Sequence, residues 1–334
     1  MKSKILILLI LLMTGVSSQN LFPILGGQRV GTSVFTFLKI GVSARAAGMS
    51  EAVVALNQDA ASIYYNPGSV AQFARTEFSA SRIQWPADIN YDFFSFARHL
   101  FKRHYIGVSA GILHMEPMQE TTEFMPHGTG NYFVFQNRFV GLTYGARMTD
   151  RFSFGVTFKQ VQENLAGSKM NGTLIDMGTF YWTGFRTLRF SAALSNFGPQ
   201  VRPDGYFSKQ YIDRTSGEEA VNDSSTFTEF SPPTVFRVGS AMNIIDNEFQ
   251  VLTMALQLNH PVDNSESIVL GAEYTLFKTL SLRAGYKFNR VEEDFSMGAG
   301  LYIPLGSLKL RVDYAYTNFT YLTDPSRLTI GLSF

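Results

Sequence analysis

The fold of this chain is decided by the stretch Leu308-Lys309-Leu310-Arg311-Val312-Asp313-Tyr314-Ala315-Tyr316-Thr317. Apolar and aromatic side chains occupy every second position, and charged or small side chains occupy the positions between them. Side chains of a β-strand point alternately to opposite faces, so this order predicts a strand with one apolar and one polar face. A strand of about ten residues can cross a bilayer when it is tilted.

The same alternation recurs from Glu77 to the C-terminus, for example in Leu280–Phe288 and Phe152–Phe158. Fourteen such segments are predicted, at residues 77–85, 91–100, 105–114, 133–148, 152–162, 173–182, 187–196, 233–243, 249–259, 267–276, 280–289, 295–303, 307–318 and 326–334. An even number of antiparallel strands is typical of bacterial outer-membrane barrels. The prediction is therefore an all-β fold, a 14-stranded antiparallel transmembrane β-barrel over residues 77–334.

The connections between these segments differ in length. Short ones are predicted at Phe101–His104, Thr149–Arg151, Thr183–Arg186, Asp246–Glu248, Phe277–Thr279 and Pro304–Gly306. Longer or more polar ones lie between them, notably Met115–Tyr132 and Phe197–Pro232. Outer-membrane barrels have short periplasmic turns and longer outer loops, which predicts that both ends of the chain lie in the periplasm. The alternative, a soluble β-sandwich, also alternates but does not account for this rhythm of connections.

The last predicted strand ends the chain on an aromatic residue. Leu328, Ile330, Leu332 and Phe334 fall on one face, so the terminal Phe is in phase with the apolar side chains. This arrangement resembles the assembly signal of outer-membrane barrel proteins.

The first residues predict export. Lys2 and Lys4 precede an apolar run, Ile5–Met13, and the small residues Val16-Ser17-Ser18 suit cleavage after residue 18. The alternative, a membrane anchor, needs about 20 apolar residues, and this run is shorter. We therefore predict a signal peptide at residues 1–18, localisation in a bacterial outer membrane, and outer-membrane lipid as a partner.

Composition excludes several classes of protein. The chain has 16% charged residues, a formal charge of +1 and no Cys. The charge balance gives no basic surplus for nucleic acid, and the lack of Cys removes disulfides and thiolate sites. No cofactor is predicted.

Residues 19–76 precede the first strand and form too short a segment for a domain of its own. The segment contains short helical stretches, and Asn66 before Pro67 is expected to leave the helical region. We predict that it packs inside or under the barrel as a plug.

Residues 37–73 of this segment read FLKIGVSARAAGMSEAVVALNQDAASIYYNPGSVAQF. This run resembles the entry signature of the PorV/PorQ family, which looks like a branch of the wider FadL-like barrels. The family-motif residues, to which we assign a structural role, are Arg45, Gly48, Asp59, Asn66 and Pro67. Ser50 stands where Gly is commoner in the family, and Gly68-Ser69 stands where Ala-Gly is usual.

The resemblance implies a function. It predicts an outer-membrane component of the type IX secretion system that binds secretion-system proteins or secreted cargo, and it does not separate PorV-like from PorQ-like members or from a generic paralogue. The alternative is a FadL-like transporter of hydrophobic compounds. For the secretion function, the long connection Phe197–Pro232 supplies a possible partner-binding loop with the aromatic residues Tyr206, Phe207, Tyr211 and Phe227.

No catalytic or metal site is predicted. Gly107-Val108-Ser109-Ala110-Gly111 fits a hydrolase nucleophile pattern, but that motif needs a strand-to-helix turn and the strand alternation continues through it. The five His residues lack the spacing of a zinc site. For charges on the polar face, such as Lys159 and Arg283, two interpretations stay open: they line a polar path, or they pair inside the barrel.

Overall fold

The computed structural model describes residues 30–56, 59–165, 167–211, 221–290 and 292–334, with only the backbone at 207–211 and 221–225. The predicted signal peptide 1–18 and the first part of the predicted plug, 19–29, lie outside the described residues.

Within this part of the chain, fourteen strands close into an antiparallel barrel, which confirms the predicted fold class. The strands are β1 (Glu77–Trp85), β2 (Ile89–Phe101), β3 (His104–His114), β4 (Phe135–Arg147), β5 (Phe152–Leu165), β6 (Ser168–Trp182), β7 (Arg189–Phe197), β8 (Val235–Asp246), β9 (Gln250–Pro261), β10 (Ser267–Leu276), β11 (Leu280–Phe288), β12 (Glu293–Leu305), β13 (Leu308–Phe319) and β14 (Ser326–Ser333). Each strand pairs with its neighbours in sequence, and β1 pairs with β14 from Glu77↔Ser333 to Gln84↔Ser326. Closure leaves no free sheet edge, as a membrane-spanning sheet requires.

The two ends of the barrel differ. At the end that we call the turn end, the strands are joined at residues 102–103, 148–151, 183–188, 247–249, 277–279 and 306–307, and the chain finishes there at Phe334. The opposite end, the loop end, carries the two long connections, between His114 and Phe135 and between Phe197 and Val235. Each of these contains a two-stranded hairpin, Met118–Gln119 with Tyr132–Phe133 and Tyr206–Tyr211 with Val221–Thr226.

The polar face of the strands points into the barrel. On β13, Arg311, Asp313 and Thr317 are buried inside, whereas Tyr314 between them is exposed on the outside. The outer face of β4 leaves Val140, Leu142 and Tyr144 between 49% and 58% exposed, and most other strands continue this apolar surface. An apolar surface of this extent marks a contact with a membrane or another apolar phase.

The N-terminal segment fills the lumen. Its described part contains two short α-helices, Ala44–Ala47 and Ser62–Tyr65, and two 3₁₀ helices, Thr36–Lys39 and Pro67–Gln72. No helix in the described ranges is long and apolar enough to span a membrane. Almost every residue from 37 to 56 and from 59 to 71 is buried, so the core of this protein lies inside the barrel. We call the described residues 30–76 the plug.

The plug runs along the whole lumen. Val34 N–H donates to Ser231 O at the loop end (3.1 Å), and Thr76 N–H donates to Phe334 O at the turn end (3.1 Å). The barrel strands begin and end at the turn end, as fourteen crossings require. The plug adds one more crossing, so Val34 and Phe334 lie at opposite ends of the barrel. The predicted side of the N-terminus concerns residues outside the described ones.

Candidate functional site

Inward glycines of the wall make room for the plug backbone. A Cβ added to Gly155 would lie 2.3 Å from Pro67 O, and one added to Gly178 would lie 2.0 Å from Asn66 Oδ1. Gly48 of the plug lies against Gly298 of the wall, where a Cβ added to Gly298 would lie 3.2 Å from Gly48 Cα. A side chain at Gly155 or Gly178 would displace the plug, and Gly298 leaves little more room, so the motif residues Gly48, Asn66 and Pro67 lie at its contact with the wall.

Asn66 joins three parts of the structure. Its Oδ1 accepts from Gly68 N–H (2.9 Å), and its Nδ2 donates to Val54 O (2.8 Å) and to Thr179 O of β6 (3.0 Å). The residue is extended, with φ −151° and ψ 105°, as a residue before proline prefers. Its backbone N–H donates to Ser62 O at the end of helix Ser62–Tyr65, and its side chain caps the start of helix Pro67–Gln72.

The other two motif residues belong to a buried network of six alternating charges, which we call the charge network. Arg45 and Asp59 come from the plug, whereas Glu273, Arg283, Arg311 and Asp313 come from β10, β11 and β13. All six side chains are at most 8% exposed. Three positive and three negative groups cancel, and each charge has a partner, which is the condition for burying charges at moderate cost.

The contacts of the charge network form a continuous chain. Glu273 accepts from Arg45 Nη2 (2.7 Å) and from Arg283 Nε (2.6 Å). Asp313 then accepts from Arg283 Nη1 (2.7 Å) and pairs with Arg311 Nε (2.7 Å), and Arg311 Nη2 lies 3.3 Å from Asp59 Oδ2. Of the two interpretations of the inward charges, pairing is what the structure shows at these positions.

Three further inward charges have partners of their own. Lys159 Nζ lies 2.6 Å from Asp176 Oδ2 and 4.8 Å from the ring centre of Tyr64 in the plug, and Lys287 pairs with Glu293. Arg189 Nε donates to Ala55 O of the plug (2.9 Å).

The plug divides the remaining space in the lumen. A polar cavity of about 570 Å³ opens at the loop end, and another of about 440 Å³ opens at the turn end. A third cavity, of about 340 Å³, lies at the loop end between the plug and strands β1–β4. We call this third cavity the aromatic pocket, because apolar side chains line most of it: Phe37, Ile40, Trp85, Ile89, Leu113 and Phe135.

The aromatic pocket has an ordered floor and wall. Phe37 packs edge-on against Tyr91 and tilted against Phe139, with ring centres 6.1 and 6.4 Å apart. Trp85 packs edge-on against Phe319 at 5.3 Å, and the guanidinium of Arg327 lies 5.6 Å from its ring centre. The pocket can therefore accept a small apolar molecule against rigid aromatic faces, with polar groups of Thr36, Lys39 and Glu293 at its edge.

The sequence-based reasoning missed the aromatic pocket, although a signal was present. Toward the loop end, the inward phase of β1–β4 is apolar at Ile83, Trp85, Ile89, Tyr91, Leu113 and Phe135. The inward phase of β9–β13 is richer in polar and charged residues, such as Gln257, Glu273 and Arg283. This switch from a polar to an apolar inner phase indicates a lumen with two different sides.

The predicted partner-binding residues are not brought together into a described surface. Tyr206 is 74% exposed at the start of its hairpin, and Phe227 is partly buried just after it. Phe207 and Tyr211 belong to the same hairpin, but their side chains lie outside the described atoms. Ser109, the residue of the hydrolase-like pattern, lies in the middle of β3 and faces inward, as the strand pattern predicted.

No family model and no curated protein matches this sequence. Among solved structures, the fold is similar to the CymD monoaromatic hydrocarbon channel, with a TM-score of 0.57, 13% identity, and coverage of 88% of this chain and 96% of that chain. It is also similar to the Ralstonia pickettii toluene transporter TbuX (TM-score 0.56, 11% identity, 88% and 97% coverage). The Pseudomonas putida toluene transporter TodX gives similar values (TM-score 0.54, 11% identity, 88% and 96% coverage).

These similarities show a FadL-like outer-membrane barrel fold, the coarser part of the predicted resemblance. The type IX secretion function predicted from the PorV/PorQ resemblance is wrong by the same comparison, because the structural neighbours are hydrocarbon channels and transporters and support the FadL-like alternative. The structure gives a physical reason for the error. The five motif residues contact the wall or the rest of the plug, so the motif indicates how the plug is held and carries no information about cargo.

Proposed function

We propose that this protein is an outer-membrane channel that takes up small apolar compounds through the aromatic pocket. The observation that carries the proposal is the pocket itself, an apolar cavity of about 340 Å³ at the loop end of a plugged barrel. Sites for small molecules are typically concave, mostly apolar cavities of about 300–1,000 Å³. The similar structures, which are named as channels or transporters of monoaromatic hydrocarbons and toluene, support the same substrate class.

The size of the pocket suits a single aromatic ring. A benzene-sized compound buries roughly 200 Å² of apolar surface, which contributes about 5 kcal/mol to binding. That free energy corresponds to a dissociation constant of about 0.2 mM. Binding of this strength suits uptake, because the compound is held long enough to leave the outer phase and is still released.

The plug sets the next step of the proposed path. Phe37 closes the floor of the aromatic pocket against Tyr91 and Phe139, and Tyr64 lies behind them with its ring centre 5.8 Å from that of Phe139. A bound compound therefore stops above these rings, and release toward the turn end requires a rearrangement of the plug. Lipid of the outer membrane is the proposed partner of the apolar outer face.

Trp85 provides a direct test of binding. The sequence has two Trp residues, so the substitution Trp182→Phe leaves Trp85, which lines the pocket, as the single Trp of the protein. Titration of the purified protein in detergent with toluene should change Trp85 emission saturably, with a midpoint of about 0.2 mM. Leu113→Gln, which places an amide in the pocket, should weaken this binding, whereas Ile112→Gln on the outer face of the same strand should not. A folded protein without a saturable change, or equal binding by both variants, contradicts the proposal.

We propose that this protein shares with the PorV/PorQ family only the way in which its plug is held. It rests on the motif residues Arg45, Gly48, Asp59, Asn66 and Pro67 and implies no secretion partner.

A further inference from the structure

The lumen also has a charged side with a polar cavity at each end, and the loop-end cavity adjoins the aromatic pocket at Lys39 and Glu293. The loop-end cavity is lined by Glu51 and Lys287 among other polar groups, and the turn-end cavity is lined by Glu273, Tyr302 and Arg311. Neither cavity shares the apolar lining of the aromatic pocket.

The two polar cavities lie toward opposite ends of the same strands. On β9, Asn259 lines the loop-end cavity and Thr253 lines the turn-end cavity, which is a distance of roughly 20 Å along the strand. The inward positions between them are Gln257 and Ala255. The inward side chains of β9 between the cavities are therefore polar or small, and the plug packs against them there.

We call the turn Gly48–Ala52 of the plug the stopper turn. Three inward glycines face it from neighbouring strands, Gly271 of β10, Gly285 of β11 and Gly298 of β12. A Cβ on Gly285 would lie 2.2 Å from Met49 C, and one on Gly271 would lie 3.0 Å from Met49 Cβ. The stopper turn thus fills the space up to the wall backbone itself.

The stopper turn is strained and is held from both sides. Ser50 and Glu51 have φ angles of 49° and 70°, so two consecutive non-glycine residues adopt the left-handed conformation. On the side of the turn-end cavity, Arg45 is bound to Glu273 in the charge network. On the side of the loop-end cavity, the Glu51 carboxylate lies 3.8 Å from Lys287 Nζ. Strained backbone that persists because its surroundings hold it is a feature of switching segments.

We propose that the charged side of the lumen is a second, closed passage for ions and small hydrophilic solutes, with the stopper turn as its gate. The passage joins the two polar cavities and bypasses the aromatic pocket. Displacement of the stopper turn exposes the charge network, whose charges cancel, so the open passage carries cations and anions alike.

The test uses the full-length protein in planar bilayers with KCl and in liposomes with arabinose as the uncharged probe. Gly285→Ala adds one methyl group that must displace the backbone of the stopper turn. Gly107→Ala is the matched control, because its methyl group, also inward, would have the flexible end of Ile63 as its nearest described neighbour at 3.1 Å, and would meet Phe96 O and Thr143 Cβ at 3.4 Å. We expect Gly285→Ala to raise conductance and arabinose entry at least about tenfold over the wild type, a change equivalent to about 1.4 kcal/mol in the closed-to-open equilibrium. Gly107→Ala should stay at the wild-type level.

A second variant covers the case in which Gly285→Ala does not insert. Glu51→Gln removes the ion pair with Lys287 without adding bulk, and we expect it to raise conductance about threefold, given the modest strength of a partly exposed pair. If the inserted variants are as impermeable as the wild type, or if Gly107→Ala leaks equally, the proposal is overturned. Toluene binding reported by Trp85 in the same variants should be unchanged, which separates this result from the function proposed above.

Discussion

Replacing Ser50 by Gly should stabilise this protein. Ser50 lies at the contact between the plug and the wall, is 4% exposed, and has a φ of 49°. Its hydroxyl is buried and has no hydrogen-bond partner among the described residues. Ser50 therefore combines two features that destabilise the folded state, a left-handed backbone conformation and an unsatisfied polar atom.

The magnitude follows from these terms. Relief of the left-handed conformation contributes about 1–2 kcal/mol. Removal of a buried, unsatisfied hydroxyl contributes about 1–3 kcal/mol. The greater freedom of Gly in the unfolded chain offsets about 0.5–1 kcal/mol of this gain. The net expectation is an increase of about 2 kcal/mol in the free energy of unfolding.

Urea unfolding of the barrel in detergent, followed by intrinsic fluorescence, measures this change. Ser50→Ala is the control, because it removes the hydroxyl and keeps the left-handed strain. It should therefore recover only part of the stabilisation. A Ser50→Gly protein that is less stable than the wild type, or no more stable than Ser50→Ala, would refute the reasoning.

Three further predictions concern the wall and the plug. Leu310→Arg places a charge on the outer face, which costs about 2–4 kcal/mol, and should reduce the yield of folded barrel in lipid bilayers. Lys309→Gln, on the inner face, is the control and should fold normally. Similar yields of the two variants would contradict the assigned faces. Glu273→Gln removes the carboxylate that the buried Arg45 and Arg283 share, while Arg283 keeps Asp313, and should lower the free energy of unfolding by about 3 kcal/mol. Glu266→Gln, which affects a pair with a half-exposed His, is its control and should change the same quantity by less than about 1 kcal/mol. Asn66→Ala leaves buried carbonyls of the plug and the wall unpaired and should increase proteolysis of the plug in detergent; unchanged proteolysis would mean that these hydrogen bonds do not hold it.

The fold could be predicted closely because its rule is local. A strand such as β13 shows its two faces within ten residues, and the predicted and observed bounds of β1 and β10 are identical. Strand ends were less certain where the chain continues past the alternation. β6 begins at Ser168, before the predicted residue 173, because β5 and β6 stay paired as far as the short connection between Leu165 and Ser168 at the loop end.

The site was less predictable because its residues meet only when the barrel closes around the plug. The motif residues Arg45 and Asp59 are 14 positions apart in the chain, and their partners Glu273 and Arg311 lie more than 200 residues further on. No periodicity within a strand reports such a contact. The function that the family resemblance of these residues implied was wrong, because the resemblance is read along the chain and reports none of these contacts.

By itself, then, the sequence determined the strand number, the polar inner face and the presence of a segment before the barrel. Each of these follows from alternation, composition or length along a continuous stretch. Only the tertiary structure decided that the plug runs through the whole lumen, that inward glycines admit its backbone, and that Phe37, Trp85 and Phe135 line one pocket. These features depend on distances between strands and plug residues that are remote in sequence, and such distances are set when the sheet closes.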